Sequence, residues 1–252
     1  FAALPQAGAD GSDRTQDEEQ RYQQGLPAIC QLYGGVQSVV LQLTSVPEDN
    51  PDPESDDAFY RSDYLLRGWC FFECTVAGLL KDADQLLNLG LATAELTNEA
   101  ASWDQVMERG RGSRLPPLTP DDMGIELGNR QFTYGSDLMF LSQAYAEFFE
   151  EAAKSATHMW FENFSGGAGW GDDELRQLAR ALPSFAHCQA IRLWGHHGMS
   201  GEGLAAMTVQ LCEQPALNRL LLPKHLEHTD KGQAMKLAWT EAGKSPTALV
   251  WC

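Results

Sequence analysis

Leu175, Leu178, Leu182, Ile191 and Leu193 are answered by Leu204, Met207, Leu211, Leu220 and Leu222, each 29 positions further on. Gly203 and Gly232 keep the same interval, as do Leu220 and Leu222 with Leu249 and Trp251. Within one period the spacings of three and four mark an apolar helix face, and the pair two apart marks one face of a strand. A strand–helix unit this short cannot enclose a core alone, so the period requires neighbouring units to stack. Residues 172–252 are therefore expected to hold about three such units, the last one truncated. The helix of the third slips by about one residue, at Ala234 and Leu237. Ile191/Leu193, Leu220/Leu222 and Leu249/Trp251 are expected on adjacent parallel strands.

Cys188-x-x-Ile191-x-Leu193-x-x-His196 and Leu217-x-x-Leu220-x-Leu222-x-x-His225 resemble the consensus of ribonuclease-inhibitor-type leucine-rich repeats, with His in place of Asn. The resemblance implies a β-strand/α-helix solenoid that binds another protein. Arg192, Leu221 and Val250 lie 29 apart between the buried pairs, so they are expected to form one outward column that contacts an acidic and apolar partner surface. The same column could instead pack against the preceding domain or further repeats. His196 and His225 fall on neighbouring units. They are read as bonding the turns and not as metal ligands, because no Cys or carboxylate pair completes a set.

Upstream, the pattern changes to alternating helices and apolar strands, an α/β arrangement over 1–155. Thr15 and Glu18 fit a capping box ahead of a helix with Tyr22, Leu26, Ile29 and Tyr33 on one face, kinked at Pro27. A buried parallel strand is expected over 36–43, a shorter one near 86–89, and helices near 62–80 and 98–107. A last helix carries Leu138, Leu141, Tyr145, Phe148 and Ala152. Residues 156–171, with Gly166-Gly-Ala-Gly-Trp170-Gly171, read as a linker.

In the helix expected over 62–80, Trp69, Glu73, Val76 and Leu80 share one stripe, which sets a carboxylate among apolar side chains. Such a group needs a donor, a proton or a cavity. It is either paired with Arg61, Arg67 or backbone N–H groups, or it is a catalytic carboxylate. Cys70 and Cys74 read as core thiols, and Ala242-Gly-Lys244-Ser lacks the first glycine and the helix of a phosphate loop.

Arg67-Gly68-Trp69-Cys70-x-x-Glu73 resembles the motif of TIR domains and of the TIR-related, heterokaryon-incompatibility-like domains of unicellular eukaryotes. Leu4-Pro5-Gln6, Leu32-Tyr33, Pro117-Leu-Thr-Pro120 and Phe132-Thr-Tyr-Gly-Ser-Asp137 resemble further motifs of that group. The resemblance implies a parallel-sheet domain over 1–155 whose first strand and loop precede Phe1. It also implies NAD as a substrate, Glu73 as the catalytic carboxylate at the ribose beside nicotinamide, and Trp69 and Arg67 as site neighbours. Self-association of this domain is implied as well.

Charge narrows the classes. Eighteen Lys and Arg face 35 Asp and Glu, a net charge of −17, which argues against nucleic acid as a partner. With 43% hydrophobic residues the chain has the means to build a core. No apolar run approaches a membrane span, no signal peptide is evident, and six scattered Cys suit a reducing compartment, so a cytoplasmic location is expected. Phe1 and Cys252 read as cut ends. Together these features lead to an intracellular signalling or scaffold protein acting through other proteins. The alternative is an NAD-cleaving enzyme with the repeats as its sensor. No resident cofactor is expected in either case.

Overall fold

Helix starts recur as regularly as the leucines. The N-caps Gly171, Ser200 and Thr229 are 29 apart, and they open α7 (Asp172–Ala181), α8 (Gly201–Glu213) and α9 (Asp230–Glu241). Glu174 accepts the Gly171 N–H at 2.8 Å, and the Ser200 and Thr229 hydroxyls accept from Glu202 and Gly232 at 3.1 and 3.0 Å. Each satisfies a donor that a helix start leaves unpaired. Asp172 also reaches across units to Ser200, accepting from its N–H at 2.8 Å and its hydroxyl at 2.6 Å.

The computed structural model describes residues 15–45, 63–112, 114–132, 135–164, 166 and 168–252. The Leu4–Gln6 motif, Arg61, Thr133 and Tyr134 lie outside these residues. The side chains of Tyr22, Leu26 and Pro27 are also outside the description. The chain is mixed α/β with parallel sheets. β3 (His158–Trp160), β4 (Ala190–Arg192), β5 (Arg219–Leu222) and β6 (Leu249–Trp251) form a four-stranded sheet in sequence order, every pair parallel. Ile191, Leu220 and Leu249 are register partners, and Met159 extends the row. These side chains and Leu193, Leu204, Met207, Leu211 and Leu222 are buried in one layer between sheet and helices. In α9 the slip shows directly: Met235 and Trp239 fill the core while Leu237 is exposed.

The expectation of a linker over 156–171 is corrected here. Ala156, Met159 and Phe161 are buried and repeat the Cys188, Ile191, Leu193 pattern at an interval of 32 instead of 29 (188 − 156, 191 − 159, 193 − 161). Trp170, inside the glycine-rich stretch, is buried as well: its indole N–H donates to the Arg114 carbonyl at 2.5 Å and its ring stacks on His196 with centroids 5.0 Å apart. Glycine is required at Gly195 (φ +82°), where an added Cβ would collide with the Asn163 carbonyl.

In the first part, the Thr15/Glu18 capping box opens α1 (Gln16–Gly34), and β1 (Val40–Gln42) pairs in parallel with β2 (Leu86–Asn88). β1 is shorter than expected, and only its Gln42 is buried. Val39 and Leu41 are exposed, and among the described residues the pair forms a sheet of two strands. The second helix, α2 (Gly68–Leu80), starts six residues later than the spacing suggested. Gly68 N–H donates to the Gln131 carbonyl and Gln131 N–H to Leu66, both at 2.8 Å, which holds Arg67 extended and breaks the helix from the 3-10 turn Tyr64–Leu66. Lys81, fully buried at the end of α2, ties down the turn after α1 by donating to the carbonyls of Gly35 and Ser38.

Short α3 (Thr93–Leu96) and α4 (Trp103–Gly110) follow, then α5 (Pro120–Gly128), capped by Thr119, and the long α6 (Ser136–Ser155). Leu141, Tyr145 and Ala152 of the expected α6 stripe are buried, and the Tyr145 hydroxyl donates to Leu118 at 2.8 Å. Among the described residues no helix is long and apolar enough to cross a membrane.

Candidate functional site

Two places gather the residues that the sequence singles out. The first lies on α2. Glu73 is half-buried beside the Tyr33 hydroxyl of α1. Burial raises its pKa to about 7, and the Tyr33 hydroxyl partly offsets the rise. Tyr33 is in turn pushed up to about 12 by burial and by the adjoining carboxylate. Tyr64, Cys70 and Cys74 surround the pair, each with its pKa raised first by burial. Their thiols stay protonated at neutral pH and behave as core groups. Tyr33 was not legible as a site residue, yet it belongs to the Leu32-Tyr33 motif, and the fold brings that motif onto Glu73.

Trp69 and Arg67 each make contacts of their own. Trp69 turns toward α6, donating its indole N–H to Asp137 Oδ2 at 2.7 Å and meeting Phe72 edge-on at 6.2 Å. It anchors one helix on another. Arg67 occupies the N-cap position of α2 beside Cys70, whose thiol pKa its charge lowers against the larger effect of burial.

The second place is the outer side of the four-stranded sheet. Arg192, Leu221 and Val250 are register partners, as their spacing demands, and Trp160 stands at the head of the row. All four are half-buried, so Leu221 and Val250 are less exposed than expected. Arg192 lies over Trp160, its guanidinium carbon 3.8 Å from the ring centroid, and its Nη1 donates to Glu162 Oε1 at 3.1 Å. Glu162 is buried and shared: Arg114 Nη2 lies 3.8 Å from its other oxygen. Burial lowers the Arg114 pKa to about 10 against the pull of Glu162, which leaves the guanidinium charged at neutral pH. Arg114 Nη2 makes no hydrogen bond among the described residues.

Alternation carries the face two residues along each strand. Phe164 meets Trp194 edge-on at 4.9 Å, and the Arg111 guanidinium sits 5.6 Å over the Phe164 ring. Sequence reasoning missed Trp160, Glu162, Phe164, Trp194 and Arg114. The available signal was the 32-residue interval, obscured by three extra residues in the glycine-rich turn and by Met and Phe where the later units have Leu and Ile.

The histidines bond the turns. His196 Nδ1 accepts the Trp170 N–H at 2.8 Å while Nε2–H donates to the Phe161 carbonyl, a neutral tautomer fixed at both ends. Burial lowers its pKa to about 4. His225 Nε2 bonds the Met199 carbonyl at 2.8 Å. Among the described residues no three His, Cys, Asp or Glu side chains gather as a metal site. Lys244 donates to the carbonyls of Gln214 and Leu217, both at 2.6 Å, so it is a structural lysine. Comparison with protein-family models, with curated proteins and with solved structures returns no match to this chain.

Proposed function

We infer that the chain is a signalling or scaffold module: a TIR/heterokaryon-incompatibility-like α/β unit joined to leucine-rich repeats that bind another protein. One observation carries the reading. Trp160, Arg192, Leu221 and Val250 stand in register across four parallel strands, on the side away from the buried Ile191 and Leu220. Trp and Arg are the side chains that most often dominate protein interfaces, and here they are stacked and held before any partner arrives. The test is an Arg192→Glu, Leu221→Asp double substitution, with melting first and recovery of bound proteins second. A folded variant that loses its partner is the expected result. A folded variant that keeps every partner removes this face from the reading.

Glu73 favours a second reading, cleavage of NAD. A carboxyl group with a pKa near 7, beside a tyrosine hydroxyl, is poised to stabilise positive charge developing on a ribose or to exchange a proton. NAD consumption by the chain, beside Glu73→Gln and Tyr33→Phe, decides it. Loss of about a hundredfold in Glu73→Gln is expected of a catalytic carboxylate. Equal consumption by both, or none by the parent chain, rejects it.

A further inference from the structure

The charge of the sheet's outer side is opposite to that of the molecule. Three columns of outward positions cross the strands: His158, Ala190, Arg219 and Ala248; then Trp160, Arg192, Leu221 and Val250; then Glu162, Trp194, Pro223 and Cys252. The chain has 35 acidic residues against 18 basic ones. These columns hold one acid and two arginines, and the acid, Glu162, is buried between Arg192 and Arg114. Among the described residues the three columns carry no other carboxylate side chain, while Arg219 is exposed and the Arg192 side chain is 39% exposed; the exposed Asp84 beside the face is paired with Arg111 at 2.6 Å. The bond to Glu162 uses one of five guanidinium N–H donors, and the position over Trp160 holds the guanidinium that carries the others.

We propose that this face recognises an acidic, aliphatic segment of a partner protein. Arg192 is the carboxylate anchor, Arg219 supplies the second positive charge, and Leu221, Val250, Trp194 and Phe164 form the apolar wall. The proposal deepens the protein-binding reading and rests on it. Strands about 4.8 Å apart make the row from Trp160 to Val250 roughly 14 Å long, the reach of four or five extended residues. The buried Glu162 holds two guanidiniums together, and Arg192, bonded to it through Nη1, keeps donors to offer a partner's carboxylate.

The test titrates the full chain, by tryptophan fluorescence at low and moderate salt, with three probes. These are a short capped peptide alternating Glu with Leu, its counterpart with Lys for Glu, and an oligothymidylate. The acidic peptide alone should bind, more weakly as salt rises. Arg192→Met should weaken it by about tenfold, the loss expected for one charge-assisted hydrogen bond. Arg219→Glu, at an exposed position that folding does not need, should weaken it too, while Arg176→Glu on α7 should leave it within about twofold. Equal binding of the basic peptide, binding of the oligothymidylate, an equal effect of Arg176→Glu, or no peptide binding overturns acid recognition. If the peptide fails while the Arg192→Glu, Leu221→Asp variant still sheds its cellular partner, the binding face stands and only its acid preference is lost. If both fail, so does the reading beneath it.

Discussion

Burial disfavours the charged form of both Glu73 and His196, with opposite consequences for stability against pH. Glu73 has its pKa raised from 4.5 to about 7, so between those values the folded chain binds more protons than the unfolded one. Its contribution is therefore complete below pH 4.5 and declines as pH rises to 7. His196 has its pKa lowered from 6.5 to about 4, so its contribution is complete above pH 6.5 and is lost as pH falls to 4. Between pH 4.5 and 6.5 the two slopes oppose each other, and single substitutions separate them. Glu73→Gln keeps an acceptor facing Tyr33 and is expected to gain on the parent chain as pH rises from 4.5 to 7, by roughly 3 kcal/mol at pH 8. His196→Ala leaves the Phe161 carbonyl and Trp170 N–H unpaired in a buried site, at a cost of about 2–4 kcal/mol at pH 7. That deficit should shrink as pH falls below 6.5, because only the parent chain then has a buried imidazole to charge. Urea unfolding across pH 4.5–8 reads both; a pH-independent difference in either variant contradicts the assigned protonation state. The odd placement of Glu73 was legible from its stripe, whereas the neutral state of His196 was not, because it depends on a bond to a turn 26 residues upstream.

Among the elements, periodicity located those whose apolar spacing was intact and failed where tertiary bonds overrode it. The strand pairs and the α7 and α8 faces followed from an unbroken interval of 29. The start of α2 did not, because the bridge between Arg67 and Gln131 joins residues 64 apart and ends a run that local spacing would have continued. β3 was hidden by a glycine-rich insertion that looks like a tether in composition. In the fold that stretch is held twice at Trp170, by its indole N–H on the Arg114 carbonyl and by its backbone N–H on His196. A flexible tether tolerates loss of a side chain. Trp170 instead fills a buried site beside Phe161, whose ring centroid is 5.0 Å away, so Trp170→Ala should cost about 3–5 kcal/mol. Chemical denaturation of the variant checks this, and a loss below about 1 kcal/mol would return the segment to the status of a linker.

For the molecule as a whole, the division at 155 that the change of sequence pattern suggested is crossed by the core. One cluster of buried apolar residues runs from Ile29 through Phe72, Leu141 and Phe149 to Phe161, Phe185 and Leu249. Phe149 of α6 meets Phe185 edge-on at 5.4 Å, and Gln177 and Arg180 of α7 reach back to the Pro116 carbonyl and to Asp122, both at 2.9 Å. Arg114 sits on the Phe161 ring and beside Glu162, so a loop of the first part supports the very carboxylate that holds Arg192. Units that share a core lose it together, because neither can expose its half without exposing the other's. Unfolding should therefore be a single transition, with calorimetric and van't Hoff enthalpies in agreement. Phe185→Ala, a change in the second part, should lower the melting point of both parts equally, at a cost of about 3–5 kcal/mol. Hydrogen exchange resolves the two: protection of α2 and α6 should fall with that of α7 and α8. If α2 and α6 keep their protection while the sheet of β3 to β6 loses its own, the chain is two independent domains, and a partner bound at Arg192 has no route to Glu73.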